Sequence, residues 1–311
     1  MAAALKAPPY KFAVIVGDSG QLGLTFKYSR HIYSICTRYE FFPSSSLDAH
    51  ENFRALKRFL DAYKPDLVIN TIAYTSVDEA ENNKEVSYVI NAVLPRTLAQ
   101  WCFYNKAAIV HFSTDYVYDG TSKEPYPETT LPCPINQYGL DKLTGELYIM
   151  KETPDFYIFR TSALYSPFRV NFVKKIFSKL TNPKKQGPYR FNVVRDQFTV
   201  PTFSEFLLEY MFKIISKKAL GVFHVVPSGY SSWYEFALMI RSEGIKWSNL
   251  SPRAPLISPT KTRKDHKGAN RPEFSVLDNS KMAKLLRTTI PEWDEVFRDC
   301  SDELLSVLRD R

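Results

Sequence analysis

Lys11 to Gly23, KFAVIVGDSGQLG, is the stretch from which the fold of this 311-residue chain can be read. Its first six residues are almost continuously apolar, the pattern of a strand buried on both faces of a parallel sheet. Gly17, Gly20 and Gly23 follow at once as GxxGxxG. Missing side chains there suit a tight turn, close approach of backbone to a pyrophosphate, and packing of a helix on the sheet. A glycine-rich turn with no ligand is the competing reading. Asp18 would repel a pyrophosphate and is expected to point to solvent.

Outward from this stretch, strand-like runs alternate with helical spacing. The first helix reads as short, with a second strand expected at His31 to Cys36. That strand would end in Cys36-Thr37-Arg38, where dinucleotide folds that prefer NAD place an acid on the ribose hydroxyls. The hydroxyl of Thr37 and the guanidinium of Arg38 suit a 2′-phosphate instead, which favours NADPH with NADH still possible. Arg38 as a plain exposed loop residue is the alternative. Next come a helix over Asn52 to Tyr63, a strand over Asp66 to Ile69, a long helix through Val86 to Tyr104, and a strand over Ala107 to Phe112. Asn91, within that helix, either bonds backbone near the active strand or is simply a satisfied buried amide. The alternation predicts an α/β fold, a doubly wound parallel sheet of Rossmann type.

The second decisive stretch is His111 to Glu146, HFSTDYVYDGTSKEPYPETTLPCPINQYGLDKLTGE. It puts Thr114 at a strand end and Tyr138 and Lys142 four apart, on one face of a helix. A nearby cation stabilises a phenolate, so the pair suits proton transfer. Taken alone it would more often be two surface neighbours. Its position after a strand end, in a chain opening with a nucleotide loop, favours catalysis.

Beyond a fifth strand at Phe156 to Phe159 the composition loosens. An amphipathic helix (Asn171 to Leu180), a polar loop (Asn182 to Pro188), a helix (Glu205 to Ile215), a strand (Val222 to Val226), a helix capped by Ser232 and a helical C-terminus are expected. The division expected is a dinucleotide-binding domain over 1–163, rejoined by about 199–222, and a smaller C-terminal α/β substrate-binding domain over 164–198 and 223–311. A hydrophobic fraction of 44% is ample for a core. The net charge of +8 is scattered apart from short runs such as Lys184-Lys185 and Lys261 to Lys267, read as solvated loops rather than a nucleic-acid surface. Four dispersed cysteines form neither a metal set nor a disulfide framework, so no metal and a cytoplasmic setting are expected. No run is long enough for a membrane span.

Along nearly its whole length the chain resembles the extended short-chain dehydrogenase/reductases, and within them the dTDP-4-dehydrorhamnose reductase family. The matching segments are GDSGQLG at Gly17, PDLVINTIAYTSVDEAE at Pro65, VHFSTDYVYDG at Val110, YGLDKLTGE at Tyr138, FRTSALY at Phe159, RDQFTVPT at Arg195, GVFHVVPSGYSSWYEFA at Gly221 and RPEFSVLD at Arg271. The resemblance implies reduction of the C4 ketone of a nucleotide-linked 4-keto-6-deoxyhexose. Thr114 would bond the carbonyl oxygen, Tyr138 would give its proton, and Lys142 would depress the Tyr138 pKa and hold the nicotinamide ribose. Gly17, Ser19, Gly20, Gln21 and Leu22 would meet the pyrophosphate, with Thr71, Ile72, Ala73 and Tyr74 beside the ribose. Val77, Asp115, Tyr116, Asn171, Gln197 and Arg271 are candidates for the sugar nucleotide. Ala163 stands where the family commonly has Trp, implying a larger or differently filled sugar pocket. A homodimer is allowed, since some relatives dimerise. The competing readings are a non-catalytic NADP-binding subunit, like the regulatory β subunit of methionine adenosyltransferase, and the epimerase or dehydratase branch. The latter lacks support, because Asp115 is followed by Tyr116 rather than by a Glu.

Overall fold

The computed structural model describes residues 7–29, 31–181, 190–247, 250–263 and 268–309. The alternation begins with β1 (Tyr10–Val16), α1 (Gln21–Tyr28), β2 (Cys36–Phe42), α2 (Arg54–Tyr63), β3 (Leu67–Asn70), α3 (Val77–Ala80), α4 (Lys84–Tyr88), α5 (Leu94–Asn105), β4 (Ala108–Thr114), α6 (Gln137–Glu152) and β5 (Phe156–Thr161). It continues through β6 (Leu164–Tyr165), α7 (Phe172–Thr181), β7 (Arg190–Val194), β8 (Phe198–Thr199), β9 (Thr202–Phe203) and α8 (Ser204–Ser216). Then come β10 (Gly221–His224), β11 (Ser231–Ser232), α9 (Trp233–Lys246), β12 (Leu256–Thr260), α10 (Ser280–Leu286) and α11 (Trp293–Arg309).

Six strands form one sheet in the order β10-β5-β4-β3-β1-β2, with every neighbouring pair parallel. Successive side chains point to opposite faces. Ala13, Ile15, Ile69, Val110 and Phe159 meet Leu22 and Phe26 of α1 and the apolar face of α8. Phe12, Val14, Val68, Ile109 and Ile158 meet α2, α5 and Ile149 of α6. Each such side chain contributes about 1.5–3 kcal/mol when fully buried. Helices on both faces are the reason the inner strands read as unbroken apolar runs.

The edge strand breaks that pattern, and the sequence expectation fails there. His31–Ser34 is a 3-10 turn, and β2 begins only at Cys36 and runs to Phe42. With one neighbour, CTRYEFF buries only its two end residues and exposes Thr37, Arg38 and Glu40, and its register pairs Cys36 with Tyr10 and Phe42 with Val16. The long helix expected through Val86 to Tyr104 is present as α4, a π-helical turn at Val89–Val93, and α5.

A second core joins α7, α9 and Phe297 of α11 to β7 and β12, which pair parallel. The expected boundary at residue 222 falls inside β10, which pairs with β5 from Gly221 to His224. The Asn182 to Pro188 loop, with Lys184-Lys185, and part of the Lys261 to Lys267 run lie outside the described residues. Among the described residues no helix is long and apolar enough to cross a membrane. From β2 the chain passes back across β1 to reach β3, so the winding reverses between β1 and β3. Open α/β sheets bind ligands outside the carboxyl ends of their strands at such a reversal.

Candidate active site

A cleft of about 660 Å³ opens at that reversal, lined by the segments that follow β1, β3, β4 and β5 and by parts of the second core. Its floor depends on absent side chains. Gly17 has φ of +106°, and a Cβ there would lie 2.6 Å from Thr71 Oγ1. A Cβ on Gly23 would lie 2.5 Å from the Gly17 carbonyl oxygen. α1 is therefore drawn against the loop, and its first turn carries no side-chain cap. Ser19, Gly20, Gln21 and Leu22 line the cleft there, as an anion-binding helix terminus requires. Asp18 turns aside, its Oδ1 accepting from the Ser44 N–H at 2.9 Å.

Thr37 and Arg38 do not reach this cleft, which corrects their assignment to the cofactor. Because β2 starts at Cys36, they stand at its amino end, four or five residues of extended chain from its carboxyl end, about 13–17 Å. Thr37 Oγ1 bonds the Lys11 carbonyl, and the Arg38 guanidinium lies 4.0 Å from the Phe12 ring centroid. The carboxyl end of β2 instead leads into Pro43-Ser44-Ser45-Ser46, with neither acid nor base.

After β3, Thr71, Ile72 and Ala73 line the cleft, whereas the Tyr74 side chain turns out to Glu79 at 3.1 Å. Asn91, projecting from the π-helical turn, bonds both the N–H and the C=O of Tyr74 at 3.0 Å. Asn91 is thus a fully buried, satisfied amide, and the backbone it holds follows β3, the neighbour of the strand that carries Thr114.

Thr114 closes β4, and Tyr138 and Lys142 occupy the first half of α6. Asn136 caps that helix by accepting from the Gly139 N–H at 2.8 Å. A Cβ on Gly139 would lie 2.1 Å from the Tyr116 carbonyl oxygen, so the bare glycine lets the helix start press on the strand end. That approach puts Tyr138 in the same cleft as Thr114, near enough for the threonine hydroxyl to lower the phenol's pKa. Burial pushes the Tyr138 phenol up to about 12, the Thr114 hydroxyl opposes this, and the Asp115 charge adds to it. Lys142 is nearly fully buried, and its Nζ donates to the Phe112 carbonyl at 2.6 Å and sits 3.0 Å from His111 Nε2. Burial lowers its pKa to about 7, with Glu146 acting the other way. The lysine thus engages the strand on the same helix face as Tyr138.

Asp115 is also buried, and its pKa rises to about 6 because burial outweighs three hydroxyl partners. Those are Ser275 at 2.5 Å, Thr114 at 3.1 Å and Thr199 at 3.4 Å. Val77, Tyr116, Asn171 and Gln197 line the same cleft. Asn171 donates to Gln21 Oε1 at 3.0 Å, linking the start of α7 to the glycine loop. Arg271 is not among the lining residues; it pairs with Asp78 at 2.7 Å, while its neighbour Pro272 reaches the cleft. Ala163, at φ of +42°, and Trp233 also line it.

The sequence reading missed several participants. His111 carried a signal, a lone imidazole within the otherwise apolar IVHF of a buried strand. Arg169, beside Ser19 in the cleft, and Ser275, 160 residues from its partner Asp115, carried none.

The family model described as RmlD substrate binding domain matches residues 12–306. A dTDP-4-dehydrorhamnose reductase from Burkholderia thailandensis is 32% identical over 264 residues, 81% of this chain and 86% of that protein. The spore coat polysaccharide biosynthesis protein SpsK of Bacillus subtilis is 35% identical, covering 73% of this chain and 75% of its own. The crystal structure of dTDP-4-dehydrorhamnose reductase from Bacillus anthracis in complex with NADP superposes with a TM-score of 0.80 at 30% identity, over 92% of this chain and 96% of that one. A match over almost the whole sheet and the second core, together with relatives at this identity, means that the chain belongs to the RmlD substrate binding domain family, the family of the dTDP-4-dehydrorhamnose reductases.

Proposed function

We propose that the chain reduces the C4 ketone of a nucleotide-linked 4-keto-6-deoxyhexose with NADPH, converting dTDP-4-dehydro-L-rhamnose to dTDP-L-rhamnose. The observation that carries this is the gathering of Thr114, Tyr138 and Lys142 in one cleft with the uncapped start of α1. The dinucleotide fits the bare-glycine cradle at Gly17 and Gly23, which any Cβ would fill. Ser19, Gly20, Gln21 and Leu22 would hold its pyrophosphate, and Thr71, Ile72, Ala73 and Lys142 its nicotinamide ribose. When bound it supplies hydride to the substrate carbon.

The chain's own task is the proton. A phenol held near 12 stays protonated at neutral pH and is a donor, while the Thr114 hydroxyl is placed to fix the carbonyl oxygen beside it. The absence of a carboxylate from Pro43 to Ser46 leaves room for a 2′-phosphate, and the Bacillus anthracis relative was solved with NADP; both support NADPH over NADH. The sugar nucleotide sits between the main sheet and the second core, with Val77, Asp115 and Tyr116 as its contacts from the sheet side and Asn171 and Gln197 from the other.

The test follows NADPH absorbance with dTDP-4-keto-6-deoxy-L-mannose generated in situ, for the native chain and for Tyr138→Phe. Loss of the general acid is expected to lower kcat by about 10²–10⁴. A Tyr138→Phe enzyme at native rate would remove Tyr138 from the mechanism, and NADPH binding without turnover in the native chain would overturn the reductase reading.

A further inference from the structure

The segment between β6 and α7, residues 166–171, is strapped across the first turn of α1. Gln21 Oε1 accepts from Ser166 Oγ at 2.9 Å and from Asn171 Nδ2 at 3.0 Å, so both ends of the segment meet one side chain of that turn. Phe168 stacks on Tyr28 at the end of α1, with ring centroids 5.4 Å apart and planes 19° from parallel. Arg169 lies between these fastenings, and its Nε donates to the Ser19 carbonyl at 2.5 Å.

The backbone of Arg169 is strained. Its φ is +54°, a left-handed conformation that glycine adopts freely and an L side chain does not. Strain of this kind persists only where the surroundings hold it, and ligand clamps are among its usual places. The side chain is exposed and anchored through Nε alone. Four of the five guanidinium N–H donors, those on the two terminal nitrogens, are thus left with no partner among the described residues. Of the residues that line the cleft only Lys142 and Arg169 are cationic, and Lys142 Nζ is bonded to the Phe112 carbonyl of β4. The loop after β1 itself carries a carboxylate, Asp18, turned toward Ser44. A diphosphate brought to that loop therefore has Arg169 as its one cationic side chain among those lining residues.

We propose that Arg169 clamps the diphosphate of the dinucleotide against the start of α1, its terminal nitrogens taking phosphate oxygens while Nε stays on Ser19. A planar guanidinium suits this task, because two parallel N–H groups match two oxygens of one phosphate. The diphosphate of a sugar nucleotide has the same chemistry. The bond to Ser19, in the loop that follows β1, assigns the arginine to the dinucleotide instead. Only the choice of dinucleotide rests on the reductase reading.

Calorimetric titration of the full chain with NADPH, NADH and dTDP, each alone, tests the clamp with no turnover required. Arg169→Gly is the variant of choice, since glycine relieves the left-handed backbone. It is expected to raise the Kd of NADPH and of NADH alike by about tenfold to a hundredfold, the loss of charge-assisted bonds to phosphate, and to leave that of dTDP unchanged. Added salt should weaken NADPH binding more steeply in the native chain than in Arg169→Gly, and Arg169→Lys should keep the steeper slope. Unchanged values for both dinucleotides overturn the proposal. A loss confined to dTDP would move Arg169 to the sugar nucleotide, and one confined to NADPH would move it to the 2′-phosphate; either overturns it as well. Native NADPH binding that is indifferent to salt does the same without any variant that must fold. Binding as expected, with no NADPH oxidised when the 4-keto sugar nucleotide is added, would leave the clamp standing and reject the reductase reading alone.

Discussion

Replacing Asp115 by Asn is expected to stabilise the protein above neutral pH and to destabilise it in acid. The carboxyl is 4% exposed and its folded-state pKa is about 6 against an ordinary 3.8. Because the folded value is the higher one, the stability it contributes is fully present below about 3.8 and is lost as pH rises through about 6. A difference of about two units at 1.36 kcal/mol each makes the buried carboxylate cost about 3 kcal/mol at pH 8. An amide carries no such cost. It presents one oxygen instead of two, yet Ser275 can turn its hydrogen to the Phe198 carbonyl, 3.3 Å away, and accept from the new N–H. Allowing about 1 kcal/mol for a poorer hydroxyl bond, Asp115→Asn gains about 2 kcal/mol at pH 8 and loses about 1 kcal/mol near pH 4.

For a chain of this length that gain is about 3 °C in Tm. Urea unfolding of both proteins across this range reads the difference directly. His224 titrates in the same window with the opposite sign. Burial lowers it to about 3, so its contribution is present above 6.5 and is lost as pH falls toward 3. Subtracting wild type from variant removes it, along with every other untouched group. A difference that stays flat with pH, or a variant less stable than wild type at pH 8, would refute the reasoning that burial dominates at Asp115.

Two further outcomes follow from the geometry. Arg38→Ala should leave the preference between NADPH and NADH unchanged, because the guanidinium covers Phe12 at the far end of β2; a fall in preference on the order of tenfold, measured as a ratio of kcat/KM values, would return Arg38 to the cofactor site. Glu146→Gln should cost about 3–5 kcal/mol in urea unfolding, since it leaves the Arg160 guanidinium, 4% exposed, without its anion; a cost under about 1 kcal/mol would show that the Tyr118 hydroxyl, 2.7 Å from Nη1, suffices.

What the sequence showed and what it hid divide along the range of the interactions. Strands β1, β3, β4 and β5 were legible because helices cover both faces and nearly every residue past their first one or two is buried. β2 was not, since this edge strand buries only its two end residues, and the apolar cluster Ile32, Ile35 and Cys36 was read as a strand although it closes the rim of the sheet. The misplaced cofactor residues are the direct result: a strand shifted by several residues carries its supposed carboxyl end to its amino end. Tyr138 and Lys142 were legible from a spacing of four. Their surroundings were not, because Asn70, Thr199 and Ser275 reach the site from segments distant in the chain.

The same division explains why the spacing of Tyr138 and Lys142 did not show what each of them meets. Spacing fixes only that they share a face; the depth of the helix fixes what each one meets. In YGLDKLTGE that depth is set by Gly139, where a Cβ would lie 2.1 Å from the Tyr116 carbonyl oxygen, and by Gly145, where one would lie 2.2 Å from the Asn91 carbonyl oxygen. Between these two contacts α6 lies so close to β4 and to the π-helical turn that Lys142 reaches the strand backbone at Phe112. The glycines of that motif, as much as its tyrosine and lysine, therefore decide how deeply the lysine and the phenol are buried.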